Sequence, residues 1–321
     1  MAINKALFIE CLFLIYRRGR EKMSLLSKPT DLTEKVREKK QSMARGEELV
    51  KAFTKHIDDV NKESYFNIVE VEELVLKEQE HAIKIMKTPK TYPRHLPRFS
   101  PSSSDKCERE LFFKDKKMER DEQTTHPFQN RWTRNSTAVH GAMQKQLLEA
   151  EIVLETPEFK VMRLPNGLPA WEKSIENWKV IEHNGQQFVL FGMCDGILEY
   201  KDGSKVGFEY KTKSNSVAQI KQIKEPAPSH RQQIVAYSIL FGVDEWLVTY
   251  ESVAKDKWGT HENARPDFKV FYHKVTERER QLLLDKWSRV AENVETGEIP
   301  RPNPSKCMFC PFKKICKEVD M

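Results

Sequence analysis

Two short alternating runs constrain this chain most: Gly192-Met193-Cys194-Asp195 and Phe208-Glu209-Tyr210-Lys211-Thr212, joined through Asp202-Gly203. Apolar and polar residues taking turns mark a half-buried strand, and Asp-Gly between two such runs marks a hairpin. In the second run Val206, Phe208 and Tyr210 share one face, while Lys205, Gly207, Glu209 and Lys211 share the other. Glu209 and Lys211 are therefore expected side by side. If the loop is Lys201, Asp202 and Gly203, with Gly203 left-handed, Tyr200 faces Ser204 and Asp195 falls opposite Glu209. A two-residue loop would set Asp195 across from Tyr210 and spoil that pairing. Two carboxylates held together repel, and a divalent cation relieves the repulsion by drawing oxygen ligands from both, with magnesium or manganese the expected occupant. A lysine beside such a site orients or deprotonates a water while the metal polarises a phosphate, which is equipment for phosphodiester hydrolysis.

The rest of the chain places this hairpin in a mixed α/β domain. From Asp31 to about Lys87 the sequence is rich in Lys, Glu and Leu at helical spacing, without proline, and reads as two or three helices; Leu74, Val75 and Leu76 are candidates to pack on the main domain or on a partner. Thr88 to Ser104 carries Pro89, Pro93, Pro97 and Pro101 with a serine cluster, and reads as a linker or irregular surface loop. A helix is expected around Arg131 to Glu151, then strands from Glu155 to Lys213 punctuated by Asn184-Gly185 and Asp202-Gly203. A helix over Ser229 to Phe241, strands over Glu245 to Glu251 and Phe268 to His273, and a helix over Glu277 to Glu295 complete the pattern. There is no internal repeat and no Gly-rich phosphate loop ending in Lys-Ser or Lys-Thr, so the sequence shows no motor of its own.

Several polar residues accompany the acidic pair. His140 lies on the upstream helix, where Val139, Met143 and Leu147 form a packing stripe and Gly141 leaves room for close approach. Gln233 and Tyr237, four apart, share one helical face. A helical His, then Asp, then Glu-x-Lys-Thr, then Gln-x-x-x-Tyr resembles the RecB-type branch of the PD-(D/E)XK nuclease superfamily, from about Cys107 to Cys316. The resemblance implies a restriction-endonuclease-like mixed sheet flanked by helices, here with an N-terminal helical extension. It also implies that His140, Asp195, Glu209 and the backbone carbonyl of Tyr210 bind one or two magnesium or manganese ions. Lys211 would then serve the attacking water, and Gln233 and Tyr237 would orient the lysine or hold DNA. Cys194 stands where the superfamily name has proline, and Glu rather than Asp fills the second acidic position.

The chain has six cysteines, at 11, 107, 194, 307, 310 and 316. In a reducing compartment these read as ligands rather than as a disulfide framework. Cys307, Cys310 and Cys316 follow a proline-rich approach, and Cys107 supplies a fourth ligand if the end of the domain returns to its start. One cysteine ahead of the nuclease motifs and three behind them resembles the iron-sulfur nucleases of the AddB and CRISPR-associated RecB-like exonuclease group. That resemblance implies a four-iron, four-sulfur cluster acting as a structural staple; zinc in the same four thiolates is the alternative.

The activity implied is that of a DNA exonuclease acting on single strands or duplex ends, in recombination, repair or phage DNA metabolism. Two alternatives accompany it: a non-catalytic DNA-binding or assembly subunit, and the nuclease component of a helicase-nuclease or CRISPR adaptation complex. Contacts to phosphate are expected from Lys213, Ser214 and Ser216, with Lys221 and Lys224 solvated. The charge balance, 54 Lys plus Arg against 48 Asp plus Glu, permits a polyanionic partner without demanding one. The apolar run Ala6 to Tyr16 is too short to span a bilayer and holds Glu10, so a cytoplasmic protein is expected, with no membrane partner. Three regions are expected: a leader over 1–22 that reads as an over-extended start, a helical region over 23–95, and the nuclease domain over 96–321.

Overall fold

Gly203 has a φ of +83°, a conformation glycine adopts without steric cost, and Tyr200 N–H donates to the Ser204 carbonyl at 2.9 Å across the loop Lys201-Asp202-Gly203. This three-residue turn sets the register of β5 (Gly196–Tyr200) against β6 (Lys205–Lys213), with Gly196 opposite Phe208 and Glu199 opposite Lys205. The computed structural model describes residues 29–65, 67–213 and 216–319. The expected leader over 1–22, Cys11 and Ser214 lie outside the described residues.

The chain divides into two units, Met1–Glu47 and Glu48–Met321. Of the first, the described part is the opening stretch of helix α1 (Pro29–Val60). Everything below concerns the second. There, β5 and β6 are the middle of a five-stranded sheet in the order β2-β5-β6-β7-β8, with β2 at Phe159–Val161, β7 at Glu245–Ser252 and β8 at Phe268–Lys274. Neighbours are antiparallel except β6 and β7, which run parallel. A smaller sheet, β1-β4-β3, adds Arg98–Phe99, Gln186–Gly192 and Asn177–His183.

Strand alternation assigns the two faces of the large sheet to different helices. Val206, Phe208, Tyr210 and Leu247 enter one core with Phe53 and Ile57 of α1, Val71 of α2 (Val69–Lys87), and Met143 and Leu147 of α4 (Pro127–Val153). Trp246, Val248 and Tyr250 enter the other, with Ile220 of α5 (Ala218–Gln222), Ile234, Val235 and Leu240 of α6 (Pro228–Phe241) and Leu283, Trp287 and Val290 of α7 (Glu277–Thr296). The result is a mixed sheet flanked by helices, as expected. Leu74 and Val75 pack on the first core, whereas Leu76 is exposed. No described helix is long and apolar enough to cross a membrane.

Two local features depart from the sequence reading. The segment from Thr88 to Ser104 is not surface loop throughout: Phe99 is buried in β1, stacking on Trp287 at 5.3 Å, and Pro101 opens a 3-10 turn. Pro101 sits so close over Gly192 that a Cβ there would lie 2.7 Å from its ring. Proline here contributes packing surface, which a reading of proline as chain punctuation misses. The expected helix starting at Arg131 begins earlier, at Pro127, because proline is accepted in a first turn.

The C-terminal segment returns to α3 (Glu108–Asp115). Phe113 and Phe312 rings meet at 5.8 Å, and Cys310 and Cys316 pack on the same small apolar cluster. Arg109, buried, donates from Nε to the Pro300 carbonyl at 2.5 Å and from a terminal nitrogen toward Cys316 Sγ at 3.4 Å.

Candidate active site

The site forms where β5 has not yet begun pairing with β6. Asp195 precedes β5 by one residue and continues its register level with Glu209; the backbone of the next residue, Tyr210, has no ladder partner in β5, and Asp195 Oδ2 accepts its N–H at 2.8 Å. A strand residue directs its N–H and C=O to the same edge, so the Tyr210 carbonyl opens toward Asp195 too. Glu209 is fully buried on the opposite face of β6 from Tyr210, and Lys211 Nζ forms an ion pair with its Oε1. The approach is an ion pair in distance only: neither Glu209 oxygen receives a hydrogen bond of good geometry. A buried carboxylate without hydrogen-bond donors is costly even beside a counter-charge.

Helix α4 delivers His140 from the other side of the sheet. Its ring packs edge-on against Tyr210 at 4.9 Å, and Nδ1 lies 3.9 Å from Asp195 Oδ1. One turn further on, Gln144 Nε2 donates to the Asp195 carbonyl at 2.9 Å, anchoring the helix to this corner. At the outer end of β6, the Ser136 and Thr212 hydroxyls meet at 2.6 Å.

Sequence reasoning missed Glu172. It lies in the turn after Trp171, with φ of +45°, a conformation uncommon outside glycine, and its N–H donates to the Cys194 carbonyl at 2.9 Å. Among the described residues, His140, Glu172 and Asp195 are the one set of three potential ligands whose atoms all lie within 4.8 Å of one another. No periodicity marks Glu172; the only available signal is an acid following a buried tryptophan in a loop. Gln144 was missed for a related reason, since a helical glutamine reads as surface.

Gln233 and Tyr237 are brought to the same site from α6. Gln233 Nε2 donates to the Tyr237 hydroxyl at 2.9 Å, and the Tyr237 ring stacks on Trp246 at 5.4 Å. Among the described residues neither is hydrogen-bonded to Lys211. Burial pushes the Tyr237 hydroxyl well above the usual tyrosine range, and the Glu209 and Asp195 charges add to it.

The electrostatics show a site short of positive charge. Burial raises the Glu209 carboxyl to about 8, with Asp195 adding to the effect and Lys211 opposing it. Burial, then Asp195 and Glu78, raises Glu172 to about 7. Burial lowers the His140 imidazole, with the Lys211 charge adding and Asp195 opposing. For Lys211 burial works against the charge, but Glu209 and Asp195 outweigh it and hold the ammonium above its usual range. Glu209 and Asp195 thus act on the Lys211 ammonium, Glu172 joins Asp195 on the His140 side, and the two Glu209 oxygens stand buried without hydrogen-bond donors. Oxygen-rich, partly dehydrated and negative, this donor set fits a hard divalent cation. Cys194 is no candidate ligand: burial, reinforced by Asp195 and Glu209, keeps its thiol protonated.

Cys107, Cys307 and Cys310 lie elsewhere, near the C-terminal segment. Asn303 N–H points to Cys107 Sγ at 3.3 Å and the Asn303 carbonyl accepts from Cys307 Sγ at 3.6 Å. Burial raises the Cys310 thiol, with Glu110, Cys107 and Cys307 contributing, so these groups lie within electrostatic reach of one another.

Comparison with curated proteins gives no match. Solved structures that resemble the chain include the following two crystal structures. One is that of SSO0001, 16% identical, covering 79% of this chain and 98% of that one, with a TM-score of 0.40. The other is an alkaline exonuclease, LHK-Exo, from Laribacter hongkongensis, 11% identical, covering 63% of this chain and 90% of that one, with a TM-score of 0.37. The family description "PD-(D/E)XK nuclease superfamily" matches residues 104–317, which span α3, the whole of both sheets but β1, and the cysteine-bearing C-terminal segment. The chain therefore belongs to the PD-(D/E)XK nuclease superfamily.

Proposed function

We propose that the chain is a magnesium- or manganese-dependent DNA exonuclease hydrolysing phosphodiester bonds of single strands or duplex ends. The observation that carries this reading is Glu209, a fully buried carboxylate with two unbonded oxygens, next to Asp195 and Lys211. A folded protein tolerates such a group where a ligand completes it. In this reading His140, Asp195, Glu209 and the Tyr210 carbonyl hold the ion, with Glu172 an added oxygen ligand. The ion, when bound, polarises the scissile phosphate and bears part of the developing negative charge.

The chain's own residues do the rest. Lys211, kept protonated by its acidic neighbours, donates to the attacking water and orients it rather than taking its proton. Asp195 fixes the edge of β6 through the Tyr210 N–H, so the ligand carbonyl and the two acids move as one unit. Gln233 and Tyr237, hydrogen-bonded to each other, hold the substrate strand on the α6 side. Lys213 and Ser216 stand near the end of β6 as phosphate contacts.

The four cysteines Cys107, Cys307, Cys310 and Cys316 are proposed to hold a four-iron, four-sulfur cluster closing the domain. Zinc in the same four thiolates is the alternative. The cellular setting proposed is cytoplasmic DNA recombination, repair or phage DNA metabolism, with a helicase or an adaptation complex as partner.

The test is to purify the protein without oxygen, record its visible spectrum, and incubate it with manganese and end-labelled linear or closed circular DNA. A brown protein that digests only the linear DNA supports the reading. A colourless protein removes the cluster, cutting of circular DNA removes the exonuclease assignment, and inertness toward both removes the activity.

A further inference from the structure

The first half of α4 has a construction that the hydrolytic site does not explain. From Phe128 to Ala138 every residue but Ser136 is exposed, on all sides of the helix. An isolated helix of this length is marginal in water, so it stands as an extension of the packed half that carries His140. Its surface includes two large aromatic side chains, Trp132 and Phe128, 48% and 53% exposed. From Gln123 to Leu148 there is no acidic residue, in a chain with 48 among 321, while Arg131 and Arg134 are exposed without a carboxylate partner among the described residues, Arg134 reaching only the Asn135 side chain.

Trp132 and the candidate active site share one cavity. A cleft of about 770 Å³ is lined by Trp132, Thr133 and Ser136 at one end and by His140, Gln144 and Glu172 at the other. Trp132 and His140 are eight residues apart, or about 12 Å along the helix axis, a span of a few nucleotides. Exposed aromatic faces, arginines without carboxylate partners and hydroxyls leading into a cation-ready acidic pocket match the needs of one ligand class: a nucleic-acid strand with its bases unpaired. A duplex hides its base faces and would leave the indole without a purpose.

Building on the nuclease reading, we propose that the projecting half of α4 is a stacking rail for single-stranded nucleic acid, on which Trp132 takes a base a few nucleotides from the scissile phosphate and Arg131 and Arg134 take the backbone. Phe128, its ring stacked on that of His126 at 5.8 Å, extends the rail by one turn. Stacking is sequence-tolerant, because every base offers a π-face, so the rail selects unpaired strands rather than particular sequences.

The test is fluorescence anisotropy in EDTA, where hydrolysis plays no part, with three labelled probes: oligothymidylate, an abasic strand of equal length, and a blunt duplex. Trp132→Ala should weaken oligothymidylate binding by about 5- to 150-fold and Trp132→Phe should restore most of it. Abasic and duplex probes should bind wild type and both variants alike. Unchanged oligothymidylate binding in Trp132→Ala overturns the proposal. So does a loss that is equal for the abasic strand, which would make Trp132 a structural residue. A wild-type self-association abolished in Phe128→Ala/Trp132→Ala, with oligothymidylate binding intact, would assign the face to a second copy of the chain and overturn it too. Manganese-dependent cutting is read separately. Trp132-dependent binding by a protein that cuts nothing leaves the rail and removes the nuclease reading, whereas cutting indifferent to Trp132 at limiting oligothymidylate removes the rail alone.

Discussion

His56 sits in the core that docks the end of α1 on the sheet, between the rings of Phe53 and Phe159, and is 1% exposed. Neither ring nitrogen has a hydrogen-bond partner, and burial lowers its pKa to about 4. The folded state therefore binds its proton less readily than the unfolded chain, whose imidazole titrates near about 6.5. The sign follows: between those values the unfolded state holds more protons, so stability falls as the pH drops through this window. The contribution lost from pH 7 is about 2 kcal/mol by pH 5 and about 3 kcal/mol by pH 4. His56→Leu, close in volume and unable to titrate, should match wild type within about 1 kcal/mol at pH 7 and lose correspondingly less on acidification. Urea unfolding of both proteins at pH 7 and pH 5 isolates the residue, because every other acid-sensitive group is common to the pair. Parallel pH dependence would refute the reasoning, since His56 would then be protonating in the folded core as easily as in water.

Other expectations follow from packing and charge. Gly207→Ala drives a Cβ into the indole of Trp246, which is fully buried and tied through Nε1 to the Val243 carbonyl at 2.8 Å; overpacking of about 1–3 kcal/mol should exceed the gain of at most about 1 kcal/mol from replacing a strand glycine, read as a net loss in urea unfolding. Arg109→Met removes charged hydrogen bonds joining α3 to the C-terminal segment and should cost about 2–3 kcal/mol, with faster proteolysis beyond Pro300 as a second readout. Glu172→Gln should keep the fold, as checked by circular dichroism, while weakening manganese binding by about 10- to 100-fold in a calorimetric titration.

Much of this site was legible because strand geometry is periodic. Asp202-Gly203 signalled a hairpin and left its loop at two or three residues; the three-residue loop that forms sets the register that puts Asp195 level with Glu209 and Lys211 beside it. His140 and the Gln233-Tyr237 pair were readable as residues on helix faces. Glu172 was not, because a loop has no period, and what brings it to Asp195 is one hydrogen bond to the Cys194 carbonyl. The burial of Phe99 and Pro101 was hidden for a similar reason: a proline-rich stretch signals irregular backbone, and only the return of β4 and α7 shows that this backbone is enclosed. Nor does alternation distinguish the exposed face of a strand from one covered by a second layer of helices, which is why the complete burial of Glu209 was not legible.

Calorimetric titration of manganese into metal-free wild type and Glu209→Gln probes the site most directly, with thermal melting of each in parallel. If the buried carboxylate is held for a divalent cation, wild type takes up the ion and melts at a higher temperature in its presence, while the neutral, isosteric variant does neither to a comparable extent. Equal manganese affinity and equal stabilisation in the two proteins would mean that Glu209 has no part in holding the cation.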